Sequence, residues 1–283
     1  MSLDDAFFRD WIGKTESSQD VAAVVPLRAL SATLDRDGAP IDLGSEVPPC
    51  WHWLYFLPLH QQSAIGPDGH AERGGFLPPV PLPRRMWAGS RIEFVQPIRS
   101  GQTISRHSHI ADVRTKDGRT GPLMFVNVHH EIRADGAVAI LEQQDIVYRD
   151  MPRPGDAAPK GVLAPQDAMW QREIRPDAVL LFRYSALTLN GHRIHYDRPY
   201  ATEVEGYPGL VVHGPLIATM LLDAMHRAMP EARVRHFSFK AVSPIFDTAP
   251  FCVCGRQDGE KTIKLWAVTS EGLLAMDAVA ELA

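Results

Sequence analysis

The chain repeats one pattern of strands in its two halves, and this duplication limits the folds open to it. In the first half, an apolar run at residues 91–94 leads into a proline corner at residues 96–98. In the second half, a similar run at residues 236–239 leads into a proline corner at residues 243–245. Each copy predicts a strand, an irregular corner and a second strand. We therefore expect two related units.

Each half then continues with two apolar runs separated by a glycine turn. Alternating apolar residues on both sides of such a turn predict a β-hairpin. The runs are residues 123–132 and 137–148 around a turn at 135–136, and residues 262–269 and 273–282 around a turn at 271–272. Two copies predict a duplicated α+β unit, each with a long antiparallel sheet.

The segment between the halves, residues 151–166, holds four prolines and two glycines and has neither helical nor strand periodicity. It predicts a linker between a domain of residues 1–150 and a domain of residues 167–283. In the second domain a helix is predicted over 214–226, because Pro215 lies in its first turn. Apolar residues cover nearly every side of this helix, so we expect a sheet to wrap around it, and the same in each half.

Composition argues against nucleic-acid and membrane partners. The net charge is −5 and no long Lys/Arg block occurs. Proteins that bind nucleic acids or anionic lipids usually carry a strongly basic surface. The most apolar stretch, residues 210–225, is interrupted by His213, Pro215 and Asp223, so it is too polar to span a bilayer. The N-terminus does not resemble a secretory signal, and three cysteines are too few for a disulfide framework. These features predict a cytoplasmic protein.

Polar side chains concentrate in residues 184–198, and a second short motif follows at residues 211–215. A neutral imidazole there could take a proton from water and return it, because its unperturbed pKa is about 6.5. The first N–H groups of a helix are unpaired and can stabilise an oxyanion. His195 and the backbone N–H of Gly214 are therefore candidates for the base and the oxyanion donor that water addition to an enoyl thioester needs.

These two motifs resemble the hydratase-2 motif of the MaoC-like hot-dog family. Residues 190–197 read Asn-Gly-His-Arg-Ile-His-Tyr-Asp, and residues 210–216 read Leu-Val-Val-His-Gly-Pro-Leu. The family motif runs Asp-x-Asn-Pro-Leu-His, followed after a short excursion by (Val/Ile)-His-Gly-x-Leu. The resemblance implies that His195 is the catalytic histidine, that Asn190 occupies the position of the catalytic aspartate, and that Gly214 is the oxyanion glycine.

The resemblance extends over about residues 50–283. Within the family, the chain is similar to the subgroup that holds the thioester dehydratase type 2 enzymes and the mesaconyl-C4-CoA and itaconyl-CoA hydratases. In the first half, residues 74–89 and 142–149 resemble its N-terminal domain. It implies a double hot-dog fold of the α+β class, with two fused domains side by side, each a sheet wrapped around a long helix. It also implies one active site per chain, because the first domain lacks the catalytic motif and shapes the tunnel for the acyl group and CoA.

The reaction implied by the resemblance is reversible syn hydration of an α,β-unsaturated acyl-CoA with 3R outcome, on a short dicarboxylic substrate such as mesaconyl-C4-CoA or itaconyl-CoA. No cofactor is expected. Three other functions stay open: a 3R-hydroxyacyl-thioester dehydratase of fatty acid synthesis, an acyl-CoA thioesterase, and a non-catalytic acyl-CoA binding protein. The expected partner is the acyl-CoA thioester, and a homodimer stays open.

One departure from the family motif affects the mechanism. Where the family has aspartate, this chain has Asn190, and an amide cannot act as a base, although it can hold a water by donating and accepting hydrogen bonds. Proton transfer would then depend on His195, alone or with another carboxylate. Asp197 is an alternative, but the family motif usually carries an aspartate there as well.

Further residues are candidates for holding the substrate. Arginine is well suited to binding carboxylates and phosphates, and a solvated surface role is equally open for each arginine near the motifs. If the substrate is dicarboxylic, at least one of them should bind its free carboxylate. The candidates are Arg84, Arg85, Arg193 and Arg198, with Trp87 as a lining or core residue and His213 as an orienting residue.

A metal site is not expected. His192, His195 and His213 could be combined into a zinc site, but no carboxylate or cysteine follows at a matching spacing. Cys252 and Cys254 alternate within one apolar run, so they should share one face of a strand without a second pair of ligands.

Overall fold

The structure is a computed structural model that describes residues 5–38, 40–118, 121–151 and 161–283. Ten strands of this part form one sheet. The first half supplies β1 (Thr15–Val21), β2 (Arg84–Phe94), β3 (Thr103–Gly118), β4 (Gly121–Ala134) and β5 (Ala137–Arg149). The second half supplies β6 (Trp170–Ile174), β7 (Val234–Ala241), β8 (Phe251–Gln257), β9 (Thr262–Thr269) and β10 (Leu274–Leu282). The helices are α1 (Asp5–Arg9), α2 (Val24–Thr33), α3 (Ala178–Thr188) and α4 (Gly214–Ala228).

The strand order shows the duplication directly. It runs β1-β3-β4-β5-β2-β7-β10-β9-β8-β6, so β2-β5-β4-β3 on one side corresponds to β7-β10-β9-β8 on the other. The pairs β4–β5 and β9–β10 are antiparallel, which confirms both predicted hairpins. The two halves therefore lie side by side in one continuous sheet, as the double hot-dog prediction requires.

The two halves join where β2 pairs antiparallel with β7. Gly89 lies at this junction, opposite Lys240, and an added Cβ there would come within 2.3 Å of the Phe239 carbonyl oxygen. The close approach of the two strands therefore requires glycine. Of the predicted linker, residues 152–160 lie outside the described residues; beyond them, Leu163 forms a bridge with Leu273. The domain bounds at 151–166 remain a proposal.

The helix predicted over 214–226 is confirmed as α4. Pro215 lies in its first turn, and the residues of its central two and a half turns are buried, from Leu216 to Met225. Burial on all sides follows from its apolar surface. The corresponding helix of the first half, α2, is shorter and buries Leu27 and Leu30.

A buried carboxylate fixes the position of α4. Asp223 is nearly inaccessible and forms ion pairs with Arg36, Arg172 and Arg227 at N–O distances of 2.8 to 3.0 Å. Arg172 and Arg227 also donate to the carbonyl oxygen of Leu34, at the end of α2. The helix carrying Gly214 is thereby tied to both halves.

Strand alternation separates neighbouring histidines onto two faces of the sheet and places Cys252 and Cys254 together, as predicted for the cysteines. His130 is buried and its Nδ1 bonds the Ser108 hydroxyl, while its neighbour His129 faces the other side of the sheet. Cys252 and Cys254 pack in one apolar cluster and are free thiols. Among the described residues, no helix is long and apolar enough to cross a membrane.

Candidate active site

The predicted site begins where α3 ends. Leu189 takes a left-handed conformation (φ 47°) and terminates the helix, so the chain turns and the N–H of Asn190 donates to the Ser185 carbonyl oxygen at 2.8 Å. The side-chain oxygen of Asn190 accepts a hydrogen bond from the N–H of His192 at 3.1 Å. Among the described residues no acceptor bonds the Asn190 amide N–H groups, so they can donate, which is the water-holding role open to an amide.

His195 follows in a short 3₁₀ turn, Arg193–His195, and is buried. Its Nδ1 lies 2.7 Å from the carbonyl oxygen of Val211. A carbonyl can only accept, so Nδ1 carries the proton and Nε2 carries the lone pair. The segment that supplies this carbonyl is held in place because the Val211 N–H donates to the Ile194 carbonyl oxygen. The backbone therefore fixes His195 in the tautomer a general base needs.

His213 lies directly against His195. The two imidazole centroids are 3.7 Å apart with 19° between the planes, and Nε2 of His213 bonds the Ser185 hydroxyl at 2.9 Å. His213 is fully buried, and its Nδ1 has no hydrogen-bond partner among the described residues. The predicted orienting role of His213 is consistent with this stacking.

Burial governs the charge of these rings. It lowers the pKa of His195 to about 4, although the hydrogen bond to Val211 acts in the opposite direction. Burial and the neighbouring imidazoles also lower the pKa of His213 well below its usual value. Both rings are therefore neutral near pH 7, so Nε2 of His195 is available to accept a proton.

Gly214 is the first residue of α4, next to its N-cap residue His213. Its N–H, in the first turn, has no intrahelical acceptor. A Cβ on Gly214 would lie 3.9 Å from the Trp87 carbonyl oxygen, so the N-terminus of α4 faces β2. Trp87 packs edge-on against Trp53 with centroids 5.0 Å apart.

A buried polar network in the first half holds this part of β2. Glu142 is fully buried and accepts hydrogen bonds from His52, Trp53 and Ser90, and the Ser90 hydroxyl is in turn 3.0 Å from the Trp87 indole nitrogen. Although burial opposes ionisation, the His52 hydrogen bond holds the pKa of Glu142 at about 2. This gives a structural reason for the distinctive string at residues 142–149.

A loop from the first half packs against the loop that carries Asn190 and His192. Gly69 (φ 88°) lies so close to Gly191 that a Cβ on Gly69 would be 1.8 Å from the Gly191 carbonyl oxygen. The N–H of Arg193 donates to the Asp68 carbonyl oxygen at 2.9 Å. Backbone contacts of this kind need glycine on both sides, and they bring residues of the first half into the site.

The sequence-based prediction missed Asp68 and His70, which this loop carries. Both carboxylate oxygens of Asp68 accept from His70, one from its N–H and one from Nδ1, at 3.0 Å each. The His70 ring lies 4.1 Å from that of His192, which lies 5.4 Å from that of His195. The turn string Gly-Pro-Asp-Gly-His at residues 66–70 was the available signal.

Three of the four candidate arginines are neutralised within the chain. Arg84 pairs with Glu205 at 2.9 Å, Arg193 with Asp197 at 2.7 Å, and Arg198 with Asp247. The pairing of Asp197 with Arg193, together with its hydrogen bond from the Tyr200 N–H, also accounts for Asp197 without a direct catalytic role.

Arg85 differs from these arginines because it forms no ion pair with a carboxylate in the described ranges. Burial is the main cause that lowers the pKa values of His70 and His192, and the positive charge of Arg85 lowers them further. With His192 it lines a cavity of about 20 Å³. A larger groove of about 620 Å³, lined by His107, His109 and His129 among others, contains none of the predicted site residues and lies on the opposite face of the sheet from α4.

The zinc site weighed from the sequence, at His192, His195 and His213, differs from the cluster that the structure brings together. Nδ1 of His195 and Nε2 of His213 already bond Val211 and Ser185. Within the described ranges, the set of side chains close enough to share a metal ion is Asp68, His70 and His192. No metal is required by the candidate base or by the oxyanion donor.

Comparison with known proteins decides the family. The model of the family described as hydroxyacyl-thioester dehydratase type 2 matches residues 50–247. The chain belongs to this family. It is 45% identical over 282 residues, 99% of each chain, to a protein of Chloroflexus aurantiacus named mesaconyl-C(4)-CoA hydratase. The resemblance found in the sequence is thereby confirmed.

Solved structures support the fold of this dehydratase family member. The chain matches HtdX of Mycobacterium tuberculosis with a TM-score of 0.67, 16% identity, and coverage of 95% of this chain and 100% of that one. It matches a second Mycobacterium tuberculosis protein, described as having a double hotdog fold, with a TM-score of 0.60, 11% identity and coverage of 96% of both chains. The predicted α+β double hot-dog fold is confirmed.

Proposed function

We propose that this chain reversibly adds water to the double bond of a short, dicarboxylic α,β-unsaturated acyl-CoA such as mesaconyl-C4-CoA or itaconyl-CoA. The observation that carries the proposal is the site itself: a neutral, buried His195 with a free Nε2, beside a helix that begins at Gly214. The 45% identity to a mesaconyl-C(4)-CoA hydratase over nearly the whole chain supports the substrate class.

The proton transfers follow from the hydrogen bonds of His195. As the water oxygen bonds to the β-carbon, Nε2 takes one water proton, and the electron pair of the double bond moves toward the thioester carbonyl. The resulting imidazolium then returns the proton to the α-carbon, so atoms and charge balance. The amide of Asn190 donates to the water oxygen and holds it in place; it takes no proton.

The negative charge that develops on the thioester oxygen is stabilised by the N–H of Gly214. This donor is fixed before the reaction begins, because Gly214 is the first residue of α4 and its N–H is held by the first turn of that helix. A preorganised donor needs no rearrangement in the transition state. His213 keeps the His195 ring at its place by stacking on it.

The other functions have weaker support in this site. A thioesterase would be expected to place a carboxylate near the thioester carbon, and Asn190 occupies the position where the family has one. A dehydratase of fatty acid synthesis uses the same chemistry in reverse, and the family model that matches is named for such thioesters. A non-catalytic binding protein would not need His195 in its base tautomer.

The test is an assay of purified protein with crotonyl-CoA, a longer enoyl-CoA, mesaconyl-C4-CoA and itaconyl-CoA. Loss of the conjugated thioester absorbance and release of free thiol are followed together. We expect loss of conjugation without thiol release, fastest with a dicarboxylic thioester. Thiol release would indicate a thioesterase, and binding without either signal would indicate a sensor.

The domain bounds, the cytoplasmic location and a homodimer belong to the proposal. Light scattering of the purified chain tests the homodimer, and a doubled mass is expected. The first domain's role in shaping the tunnel for the acyl group and CoA is also proposed, and it is supported by the contact of Gly69 with Gly191.

A further inference from the structure

Among the described residues, no carboxylate forms an ion pair with Arg85. Arg85 lies on β2 opposite Tyr148 of β5. The Tyr148 hydroxyl is buried and has no hydrogen-bond partner at bonding geometry among the described residues, although Arg85 lies beside it. A half-buried guanidinium that has no carboxylate partner among the described residues is a place where an anionic group would be stabilised.

His192 supplies a second unpaired group at the same place. Its backbone N–H is bonded to Asn190, but its ring nitrogens have no hydrogen-bond partner in the described ranges. Burial and nearby imidazoles lower its pKa to about 2, so the ring is neutral and has one N–H to donate. The cavity of about 20 Å³ that it lines with Arg85 is large enough for one water or one ligand oxygen.

The charges around this cavity favour an anion over a cation. Arg84 and Glu205 also line it, and because they pair with each other they add no net charge. Arg73 is also positive and donates to the carbonyl oxygens of Val80, Leu82 and Pro83. Asp68 is the opposing charge, and both of its oxygens already accept from His70. Arg73 and Arg85 against Asp68 leave one positive charge in excess, which one carboxylate would neutralise.

The position of Arg85 fits the length of a short diacid. Arg85 and Trp87 are two residues apart on β2, which corresponds to about 6.6 Å along a strand. The Trp87 backbone faces Gly214, where the thioester oxygen would bind. The two carboxyl carbons of a four-carbon diacid lie closer together than this, so with one end at Gly214 the other lies toward Arg85, whose flexible side chain has to span the difference.

We infer that Arg85 and His192 form a subsite for the free carboxylate of a dicarboxylic monothioester. The inference rests on the proposed hydration. Arg85 binds the carboxylate through its guanidinium, and His192 donates one ring N–H. His70, held by Asp68, packs against His192 and fixes the orientation of its ring. The subsite would make the first half responsible for choosing the substrate, while the second half performs the chemistry.

The experiment compares mesaconyl-C4-CoA, which has the free carboxylate, with crotonyl-CoA, which lacks it. Arg85→Leu is expected to lower kcat/KM for mesaconyl-C4-CoA by roughly 100-fold, because a buried charge partner is lost, and to change kcat/KM for crotonyl-CoA by less than about threefold. His192→Phe keeps the ring contact with His70 and should lower only the mesaconyl-C4-CoA value, by roughly 10-fold. Arg91→Leu is the matched control, since Arg91 lies on the same strand but pairs with Asp145, and should change neither.

If Arg85→Leu does not fold, Arg85→Gln tests the subsite instead, because it removes the charge and keeps a polar side chain. Unchanged selectivity in a folded Arg85 variant, or equal loss on both substrates, overturns the inference and leaves the hydratase proposal standing. Failure of the wild-type chain to hydrate either substrate overturns the proposed function itself. The purified wild-type protein is also analysed for metal, and stoichiometric zinc that His192→Phe removes would overturn the subsite and assign Asp68, His70 and His192 to a metal centre.

Discussion

The imidazole of His195 lies flat on that of His213, with centroids 3.7 Å apart, and it donates from Nδ1 to the Val211 carbonyl oxygen at 2.7 Å. Stacking and hydrogen bonding together leave the ring one orientation and one free nitrogen. Because His213 is also the residue before Gly214 at the start of α4, the base and the oxyanion donor are positioned by the same turn of chain.

The pH dependence of the reaction should reflect the lowered pKa of His195. The base must be neutral, and burial lowers its pKa to about 4. We expect kcat/KM to stay level from pH 8 down to about pH 5 and to fall below that. The stability of the fold should depend on the same group. The contribution of His195 to the free energy of unfolding is complete above the unfolded pKa of about 6.5 and is lost as the pH falls toward 4. A pH profile with circular dichroism at each pH separates the two effects; an acid limb near pH 6.5 would contradict the assignment.

Replacing Asn190 by aspartate tests the departure from the family motif. Aspartate can still accept from the His192 N–H, so the loop should keep its shape. Its negative charge should raise the pKa of His195 and move the acid limb of kcat/KM upward by about 1 pH unit. The same pH profile measures this shift, with Asn190→Ala as the control that removes the hydrogen bond without adding a charge. An unmoved acid limb would mean that residue 190 does not face His195.

Gly214→Ala should separate stability from activity. The added methyl group would meet the Trp87 carbonyl oxygen at 3.9 Å, an ordinary contact, so the melting temperature should change little. The methyl group would nevertheless enter the space between α4 and β2 where the thioester carbonyl is proposed to bind. We expect kcat/KM to fall by roughly 10- to 100-fold, measured beside a thermal melt. Full activity would place the oxyanion elsewhere.

Asp223→Ala should lower the stability of the fold and leave the activity of the folded protein nearly unchanged. It leaves three arginines around a buried position without their carboxylate, and breaking a buried ion pair costs about 3–5 kcal/mol. The melting temperature should drop by roughly 10 °C, whereas kcat at 10 °C should change little. Glu131→Ala, which removes the exposed pair with Arg133, is the control and should melt as the wild type does. An equal drop in both variants would contradict the anchoring role of Asp223.

Much of the fold follows from local patterns in the sequence. The hairpins at β4–β5 and β9–β10 are visible because apolar alternation and a glycine turn act on neighbouring residues, and α4 is visible because its surface is apolar on all sides. The joining of the two sheets at β2 and β7 is not visible, because it depends on the close approach of Gly89 to Phe239, residues far apart in the chain.

The candidate site also has a part that the sequence predicts and a part that it does not. Asn190, His195 and Gly214 lie in two short motifs and could be proposed as site residues from those motifs alone. Asp68 and His70 could not, because only the backbone contact between Gly69 and Gly191 brings them there. The ion pairs of the arginines could not be predicted from the sequence either. Arg84 and Arg85 are adjacent in sequence, yet Glu205 neutralises Arg84 and leaves Arg85 available for substrate.

The most direct test of the account is the rate of mesaconyl-C4-CoA hydration by wild-type chain and by His195→Gln. Glutamine can still donate to the Val211 carbonyl oxygen, so the fold should persist, but it cannot accept the proton from water. We predict that conjugated thioester is lost without thiol release in the wild type, and that kcat falls roughly 1,000-fold in the variant with an unchanged melting temperature. Hydration by a folded His195→Gln at the wild-type rate would contradict the account.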